Sequence, residues 1–306
     1  NAVENYHSEN ARSQIIEKDV YTLILDAYNA NPSSMSVALH SFAKSSLKKK
    51  IVIGTRGSAL ALAQVDLVRD RLLELDSTLE IVTEVITTTG DLNPKVRDKK
   101  EWIDTIESAL LDKKIDIAIH SAKDVPVEVA KGTVVHSILG REDARDAYIS
   151  HKGIPYNQAK VIGTSSLRRR EALKRALGEV EIREWRGNVP TRIKRLAEDP
   201  EVDGIVLACA GLLRLGLWDE KIMSTLNVDY MLPAVCQGII AVQYNADSWL
   251  SSLLSKLMDY ETQESFVAER SFIKTLGADC RSAVSVFAEV KAGTTLIRGT
   301  VYSTTT

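Results

Sequence analysis

Three polar side chains that could bind a ligand follow a short apolar run in the middle of the chain. Ile115–Ile119 has the composition of a buried strand, and Ser121, Lys123 and Asp124 come soon after it. Open α/β sheets bind their ligands at the carboxyl ends of their strands, so these side chains would stand where a ligand is expected. A solvated turn ahead of Pro126 is the simpler interpretation of the same residues. The rest of the chain decides between the two.

A strongly basic segment lies downstream, between Val161 and Arg195. It contains ten basic residues against four glutamates, and such an excess needs an anionic partner or plain solvent. The basic residues that fit a solvated helix face are Lys174, Arg175, Lys194 and Arg195. The basic residues that lie beside turn-forming residues are Arg168, Arg169, Arg186 and Arg192. Because guanidinium groups suit two-pronged contacts with carboxylates or phosphates, this second set predicts an anionic small molecule as the ligand.

The composition limits the classes of partner. The 306 residues, 44% hydrophobic and 6% aromatic, suffice for two or three domains. A formal net charge of -2 gives no global basic field, so a nucleic acid is not an expected partner. The sequence has no long apolar span or signal segment, so neither a membrane nor export is expected. The three cysteines, Cys209, Cys236 and Cys280, lack metal-ligand spacing, so we expect no metal and a cytoplasmic location.

Two stretches of the chain begin alike and predict its architecture. Ile51–Thr55 and Val161–Thr164 are β-branched segments that end in Gly-Thr. Apolar residues then recur at helical spacing, at Leu62, Val65, Val68 and Leu72 after the first and at Ala172, Leu173, Ala176 and Leu177 after the second. Ser58 and Ser166 can cap these helices, whose free backbone N–H groups form a site for anions. We therefore expect two α/β domains that face each other across a cleft.

Cys280 differs from the other two cysteines in its surroundings. It lies in a polar loop beside Arg281, whose charge could favour the thiolate. Cys209 and Cys236 sit in apolar surroundings and are expected in the core. Taken alone, a loop cysteine such as Cys280 is more often an incidental thiol than a covalent attachment point.

The chain from Ile51 to about Thr306 closely resembles the porphobilinogen deaminase (hydroxymethylbilane synthase) family. The motifs that carry the resemblance are Gly54–Gln64, His120–Pro126, Gly163–Arg169, Arg186–Arg192, Ala210–Gly216 and Leu232–Gly238. Their order and spacing make a chance match unlikely. The resemblance implies two periplasmic-binding-protein-like α/β domains around a cleft, a smaller, truncated α+β C-terminal domain, and a monomer.

The resemblance also implies a reaction, that of a transferase in tetrapyrrole (haem, porphyrin) biosynthesis. In this family four porphobilinogen molecules are joined head to tail, with loss of ammonia, on a dipyrromethane cofactor bound by a thioether to a loop cysteine. Cys280 occupies the position of that cysteine, and Asp124 matches the family's catalytic aspartate. Loss of ammonia leaves an electron-poor azafulvene that a thiolate or a free pyrrole α-carbon can attack. A carboxylate between pyrrole N–H groups can stabilise the developing positive charge and assist proton transfer.

The motif match assigns further side chains to the cofactor and the substrate. Each porphobilinogen carries an acetate and a propionate, so a growing chain accumulates carboxylates and needs many donors. The residues implied for the cofactor and the growing chain are Cys280, Lys99, Ser121, Lys123, Thr164, Ser166, Arg168, Arg169 and Arg192. The residues implied for the incoming substrate are Arg56, Ser58, Gln64, Trp102, Arg186 and Arg214.

The resemblance predicts where the domains begin and end. We expect domain 1 over residues 51–143 and 233–252, domain 2 over 144–232 and domain 3 over 253–306. Residues 1–45 resemble a short fragment of the Mur ligase that adds D-alanyl-D-alanine to a UDP-MurNAc-tripeptide. Residues 1–50 are therefore predicted to be an extension plus linker, without ligase activity of their own.

Two other functions stay open. An Arg-lined cleft between two α/β domains also describes a module that binds anionic solutes without chemistry. An inactive relic of a deaminase would keep the same motifs. A covalently loaded Cys280 and an ionised Asp124 have no use in a binding module, so these two residues distinguish the hypotheses.

Overall fold

The computed structural model describes residues 14–18, 21–25, 49–92, 98, 100–277 and 283–302. Two predicted site residues, Lys99 and Cys280, lie outside the described residues. The chain forms two compact units, Asn1–Lys48 and Lys49–Thr306. The functional residues named above all belong to the second unit.

In the described part of the first unit, β1 (Gln14–Lys18) pairs antiparallel with β2 (Tyr21–Leu25). The strands of the second unit are β3 (Lys50–Thr55), β4 (Glu80–Val85), β5 (Ile117–Ser121), β6 (Thr133–Ile138), β7 (Asp146–Ile149), β8 (Val161–Gly163), β9 (Glu181–Arg183), β10 (Gly204–Ala208), β11 (Met223–Thr225), β12 (Ile240–Asn245), β13 (Val284–Lys291) and β14 (Thr294–Val301). Its helices are α1 (Ala59–Leu75), α2 (Thr89–Leu92), α3 (Asp104–Leu111), α4 (Leu167–Leu177), α5 (Val189–Glu198), α6 (Cys209–Arg214), α7 (Ser251–Leu254) and α8 (Tyr260–Leu276).

The first sheet of the second unit has five strands in the order β4-β3-β5-β12-β6. β3 runs parallel to β4 and β5, whereas β12 runs antiparallel to β5 and β6. On one face, α1 buries Val65, Val68 and Leu72 against the sheet. On the other face, α3 buries Ile106 and Leu110. The chain leaves this sheet after β6 and returns to it through β12.

The second sheet is built from the intervening chain, with five strands in the order β11-β7-β10-β8-β9. β8 is parallel to β9 and β10, and β7 is antiparallel to β10 and β11. α4 buries Ala172 and Leu173 in the core on one face, and Leu196 of α5 and Leu212 of α6 fill the core on the other. These two mixed sheets confirm the predicted α/β class.

A buried ion pair holds the C-terminal part, α8 and the β13-β14 hairpin, against the first sheet and the return segment. Arg141 Nη1 donates to Glu269 Oε1 at 2.6 Å, and the Glu269 side chain is fully buried. The other donors to this carboxylate are backbone N–H groups, of Ala288 at 2.8 Å and of Cys236 at 2.5 Å. Arg141 Nε also donates to the Gln237 carbonyl at 2.9 Å. One carboxylate therefore ties α8 and β13 to the segment that leads into β12.

Both predicted entries from strand to helix are confirmed. The Ser58 hydroxyl accepts the Ala61 N–H at 3.2 Å at the start of α1, and the Ser166 hydroxyl accepts the Arg169 N–H at 3.4 Å at the start of α4. The buried face of α4 differs from the apolar pattern, because Arg168 and Arg169 are buried with Ala172 and Leu173, whereas Ala176 is exposed. Two charged side chains thus point into the protein at the start of this helix.

β5 begins two residues later than the apolar run indicated, at Ile117, and continues through His120 and Ser121. Asp116 explains the shift. Its N–H donates to the Val52 carbonyl at 2.8 Å, and its carboxylate accepts the Val52 N–H at 2.7 Å. Contact with β3 thus begins at Asp116 through one backbone and one side-chain hydrogen bond, and regular pairing between the strands starts at Ile117.

Candidate active site

The carboxyl end of β5 carries the segment with the predicted catalytic aspartate. Ser121 ends the strand, and one turn of 3-10 helix, Ala122–Asp124, follows directly. The turn leaves Asp124 exposed and Lys123 half-buried. The carboxylate therefore stands at the edge of the sheet, where open α/β sheets bind ligands, and not in the core.

Gln64 joins this segment to the start of α1. Its amide Nε2 donates to Ser121 Oγ at 2.9 Å, and the Gln64 side chain is buried. Ser58 lies at the N-cap of the same helix. Three predicted site residues from two elements are thus held close to one another.

Two cavities open at this edge and share part of their walls. The larger has a volume of about 270 Å³ and the smaller a volume of about 100 Å³. The residues that line both are Ser58, Leu60, Gln64, Ser121 and Asp124. Asp124 is the one acidic side chain in this shared wall, so a single carboxylate can contact occupants of both cavities.

Arg56 and Trp102 line the smaller cavity. The Arg56 guanidinium lies 4.3 Å from the centre of the Trp102 ring and forms an ion pair with Asp91 at 2.5 Å. Burial would raise the pKa of Asp91, but hydrogen bonds from Arg56 and Thr88 lower it overall. An aromatic ring and a carboxylate therefore fix the position of a guanidinium at the cavity wall.

The basic residues of the larger cavity are Lys123, Arg169, Arg192 and Arg214. Burial lowers the pKa of Lys123 to about 8, although Asp124 opposes the shift. Burial also lowers the pKa of Arg192 to about 10, and the charges of Arg169 and Arg186 act in the same direction. Several cations are therefore crowded into a partly desolvated space, which is an arrangement that an anionic ligand would relieve.

Asp146 lies beneath these cations and is fully buried. Its carboxylate accepts Arg168 Nη2 at 2.6 Å, Arg169 Nη2 at 2.7 Å and Gln237 Nε2 at 2.9 Å. Burial would raise the pKa of Asp146, but the two guanidinium charges outweigh it and hold the pKa at about 2. Arg169 Nη1 also donates to the Val206 carbonyl at 2.9 Å. Asp146 thus orients Arg169, whose side chain lines the larger cavity.

Some predicted residues are not among those that line the two cavities in the described part of the chain. They are Thr164, Ser166, Arg168 and Arg186. Arg168 is buried and donates to the Leu232 carbonyl at 2.7 Å as well as to Asp146. The Thr164 hydroxyl accepts the Ser166 N–H at 3.2 Å. Arg186 forms an exposed ion pair with Glu184 at 2.8 Å. A direct contact of these four with a ligand stays a prediction.

Sequence reasoning missed Asp91 and Asp146. Asp146 opens an otherwise apolar strand, Asp146–Ile149, and a carboxylate in such a place needs buried cations nearby. The sequence shows this carboxylate, but the arginines that pair with Asp146 are 22 and 23 residues away in the chain, so the sequence does not identify them. Asp91 has a weaker signal, because a Thr-Thr-Gly-Asp run is also an ordinary turn.

The two cysteines in the described part of the chain are core residues. Cys209 and Cys236 are buried as predicted, and burial raises the pKa of Cys209 to about 12. Across the described residues, no cluster of His, Cys, Asp and Glu side chains is arranged to hold a metal ion. None of the helices described is long and apolar enough to cross a membrane.

The fold and the site together define an α/β protein with a cation-lined cleft for carboxylate-bearing ligands and one acidic group between two cavities. A family model described as "Porphobilinogen deaminase, dipyromethane cofactor binding domain" matches residues 51–250. The chain belongs to the porphobilinogen deaminase family. It is a transferase with porphobilinogen deaminase activity in tetrapyrrole biosynthesis, and it contains the dipyrromethane cofactor-binding domain of that family.

Individual relatives are similar over most of their length. The porphobilinogen deaminase of Syntrophomonas wolfei is 41% identical over 266 residues, which cover 83% of this chain and 86% of that protein. That of Carboxydothermus hydrogenoformans is 36% identical, over 84% of this chain and 85% of that protein. Among solved structures, the OxyR2 E204G regulatory domain from Vibrio vulnificus matches 70% of this chain and 94% of that chain, with a TM-score of 0.44 and 15% identity. The comparisons give no support to the Mur ligase resemblance of residues 1–45.

Proposed function

We propose that the two cavities bind different participants in the deaminase reaction. The larger holds the dipyrromethane cofactor and the growing chain, and the smaller receives the incoming porphobilinogen. The observation that carries this proposal is the position of Asp124, which lines both cavities. A carboxylate placed there can act on the one point at which the two occupants must meet.

The donor set of the larger cavity fits the cofactor. Dipyrromethane carries the acetates and propionates of two substrate units, and Lys123, Arg169 and Arg192 present cations to the same space. We propose these three residues as its main carboxylate contacts, with Ser121 as a hydroxyl partner. When bound, the cofactor supplies the pyrrole carbon to which new units are added. Its thioether link to Cys280 rests on the family motif, since that residue lies outside the described part of the chain.

The smaller cavity would bind the substrate through its carboxylates and its ring. Arg56, held by Trp102 and Asp91, is oriented for a carboxylate of porphobilinogen. Ser58 and Gln64 add polar groups to the same wall. We assign Arg214 to the substrate as well, although it lines the larger cavity and donates Nη2 to the Gly238 carbonyl at 2.7 Å.

Asp124 would act in the transition state of the condensation. A carboxylate that accepts the pyrrole N–H of the incoming unit stabilises the positive charge that grows on that ring as ammonia leaves. The same group can then take up the proton that the reacting carbon releases. Lys123 precedes Asp124 in the chain and lines the larger cavity with it.

An intact mass of the purified protein tests the loaded state. We expect extra mass equal to one dipyrromethane, with a positive aldehyde colour test for pyrrole, and we expect both to be absent in Cys280→Ser. The matched control is Cys209→Ser, because Cys209 is a core thiol that should leave loading intact. The bare chain mass after incubation with porphobilinogen would contradict the proposal.

The lowered pKa of Lys123 predicts a pH effect on stability. The folded state, with a pKa of about 8 against an ordinary 10.5, binds fewer protons than the unfolded state between these values, so stability rises with pH across that window. In a Cys280→Ser background, without covalently held carboxylates, Lys123→Met should be more stable than its parent at pH 7. The gap should close towards pH 10.

Urea unfolding at several pH values measures that gap. Lys131→Met, at an exposed position, is the matched control and should follow the parent at every pH. A gap for Lys123→Met that stays constant from pH 7 to pH 10 would show that Lys123 is not held in a desolvated site.

The finer organisation follows from the same family assignment. We propose domain 1 over residues 51–143 and 233–252, domain 2 over 144–232 and domain 3 over 253–306. The substrate is porphobilinogen, as the family implies. We further propose that the protein works in the cytoplasm as a monomer, for which gel filtration with light scattering is the direct measurement.

A further inference from the structure

His120 is a buried group that none of the roles above uses. It is the residue before Ser121 in β5, is 6% exposed, and lines the smaller cavity together with Arg56 and Asp124. Its ring Nε2 lies 3.1 Å from Gln243 Oε1, on β12. The position of its proton follows from the hydrogen bonds around Gln243.

The amide of Gln243 is held in one orientation. The Thr133 hydroxyl donates its proton to the Ala130 carbonyl at 2.8 Å, so Thr133 Oγ1 can only accept from Gln243 Nε2, at 2.9 Å. The second Nε2 proton goes to a carboxylate oxygen of Glu107 at 2.8 Å. Both contacts require the NH₂ group on this side, so the amide oxygen faces His120.

The imidazole tautomer follows directly. Gln243 Oε1 is an acceptor, so His120 Nε2 must carry the proton that it receives. Burial, with the charge of Arg56 in the same direction, lowers the pKa of His120 to about 4, against the opposing effects of Gln243 and Asp124. The ring is therefore neutral and leaves a lone pair on Nδ1. The smaller cavity, whose charged lining residues are Arg56 and Asp124, thus gains an uncharged acceptor.

We propose that His120 Nδ1 accepts a hydrogen bond from the ammonium group of the incoming porphobilinogen. This inference rests on the proposed placement of that substrate in the smaller cavity. The carboxylates of the substrate are acceptors and cannot pair with a lone pair, and its pyrrole N–H is assigned to Asp124. The ammonium is the remaining donor. A neutral acceptor beside Arg56 lets the site hold this cation, whereas a protonated imidazole would repel it. His120 therefore helps to recognise the group that is lost in the reaction.

Two substitutions test the roles of the two ring nitrogens of His120 separately. In His120→Gln, the side-chain NH₂ can replace the Nε2 proton for Gln243, but the Nδ1 acceptor is gone. In His120→Asn, a carboxamide oxygen can stand near the Nδ1 position, but the Gln243 oxygen loses its donor. A role in packing alone predicts that Gln is harmless and Asn is damaging in every assay.

We expect the two variants to have opposite effects on the melting temperature and on KM. His120→Gln should melt close to the wild type but raise KM for porphobilinogen by about ten- to a hundredfold, the loss expected for a hydrogen bond to a charged group. His120→Asn should melt lower and keep KM within about threefold of the wild type, because ground-state binding of the ammonium is retained. The inhibition constant of a porphobilinogen analogue with methyl in place of aminomethyl should change by no more than about twofold in His120→Gln, since this probe has no ammonium.

An unchanged KM in His120→Gln, or an equal loss for porphobilinogen and the methyl analogue, would overturn the inference while leaving the deaminase function in place. Wild-type protein that loads its cofactor but does not turn over porphobilinogen would instead refute the proposed function, and this inference with it.

Discussion

Replacing Asp124 by Asn is expected to lower the turnover of porphobilinogen by about 10²–10⁴-fold, the range typical of a lost acid–base or charge-stabilising group. Asn keeps the size of the side chain but removes the negative charge that the transition state needs. Because Asp124 is exposed, the free energy of unfolding should change by less than about 0.5 kcal/mol. Single-turnover assays of the loaded protein, beside urea unfolding, measure both quantities.

Asp247→Asn is the matched control for this substitution, since Asp247 is exposed and is not among the residues that line either cavity in the described part of the chain. It should keep wild-type turnover. Normal turnover in Asp124→Asn would remove the central carboxylate from the mechanism. A binding module without chemistry would likewise show no difference between the two variants.

Asp146→Ala is expected to destabilise the protein by about 3–5 kcal/mol, because it leaves two buried guanidinium groups without their counter-charge. Arg168 is 5% exposed and Arg169 is 7% exposed, so little water can reach either guanidinium in place of the lost carboxylate. Asp143→Ala is the matched control, since it breaks a nearby Arg–Asp pair in which Arg145 is 45% exposed. That change should cost no more than about 1 kcal/mol. Equal losses of unfolding free energy in the two variants would show that the Asp146 cluster is hydrated and not buried.

The pH dependence gives a second measurement of the same cluster. The pKa of Asp146 is lowered to about 2 in the folded state, so its contribution is present above the ordinary value of 3.8 and is lost as the pH falls towards 2. The stability difference between wild type and Asp146→Ala should therefore be constant near neutral pH and shrink in acid. A difference that grows on acidification would mean that the carboxylate is protonated in the folded protein.

Local signals made much of the fold predictable. The helix caps at Ser58 and Ser166 depend on residues three positions apart, and a run of β-branched residues before each cap is enough to indicate the strand. The basic segment also predicted an anionic ligand, because charge excess is a property of composition. These features need no knowledge of which strands pair.

The supporting contacts were not predictable in the same way. Asp146 meets Gln237 across 91 residues, and His120 meets Gln243 across 123 residues, so neither pair leaves a pattern in a short window. Arg168 shows the same limit. Two adjacent arginines after a cap look equivalent in sequence. In the structure Arg169 lines the larger cavity, whereas Arg168 donates its hydrogen bonds to Asp146 and to the Leu232 carbonyl. Only the register of α4 against its sheet separates their roles.

The contacts of Glu269 have a consequence for the proposed attachment of the cofactor at Cys280. They fasten α8 and β13, and the nearest described residues to Cys280 are Gly277 and Ala283, each three positions away. Three residues span at most roughly 11 Å, so a cofactor attached at Cys280, as we propose, would stay within about that distance of these two residues. In the mechanism that we propose, one end of the growing chain is held there while the other end must reach Asp124 for each addition. We therefore expect the distance between the attachment point and Asp124 to limit the number of units in the product.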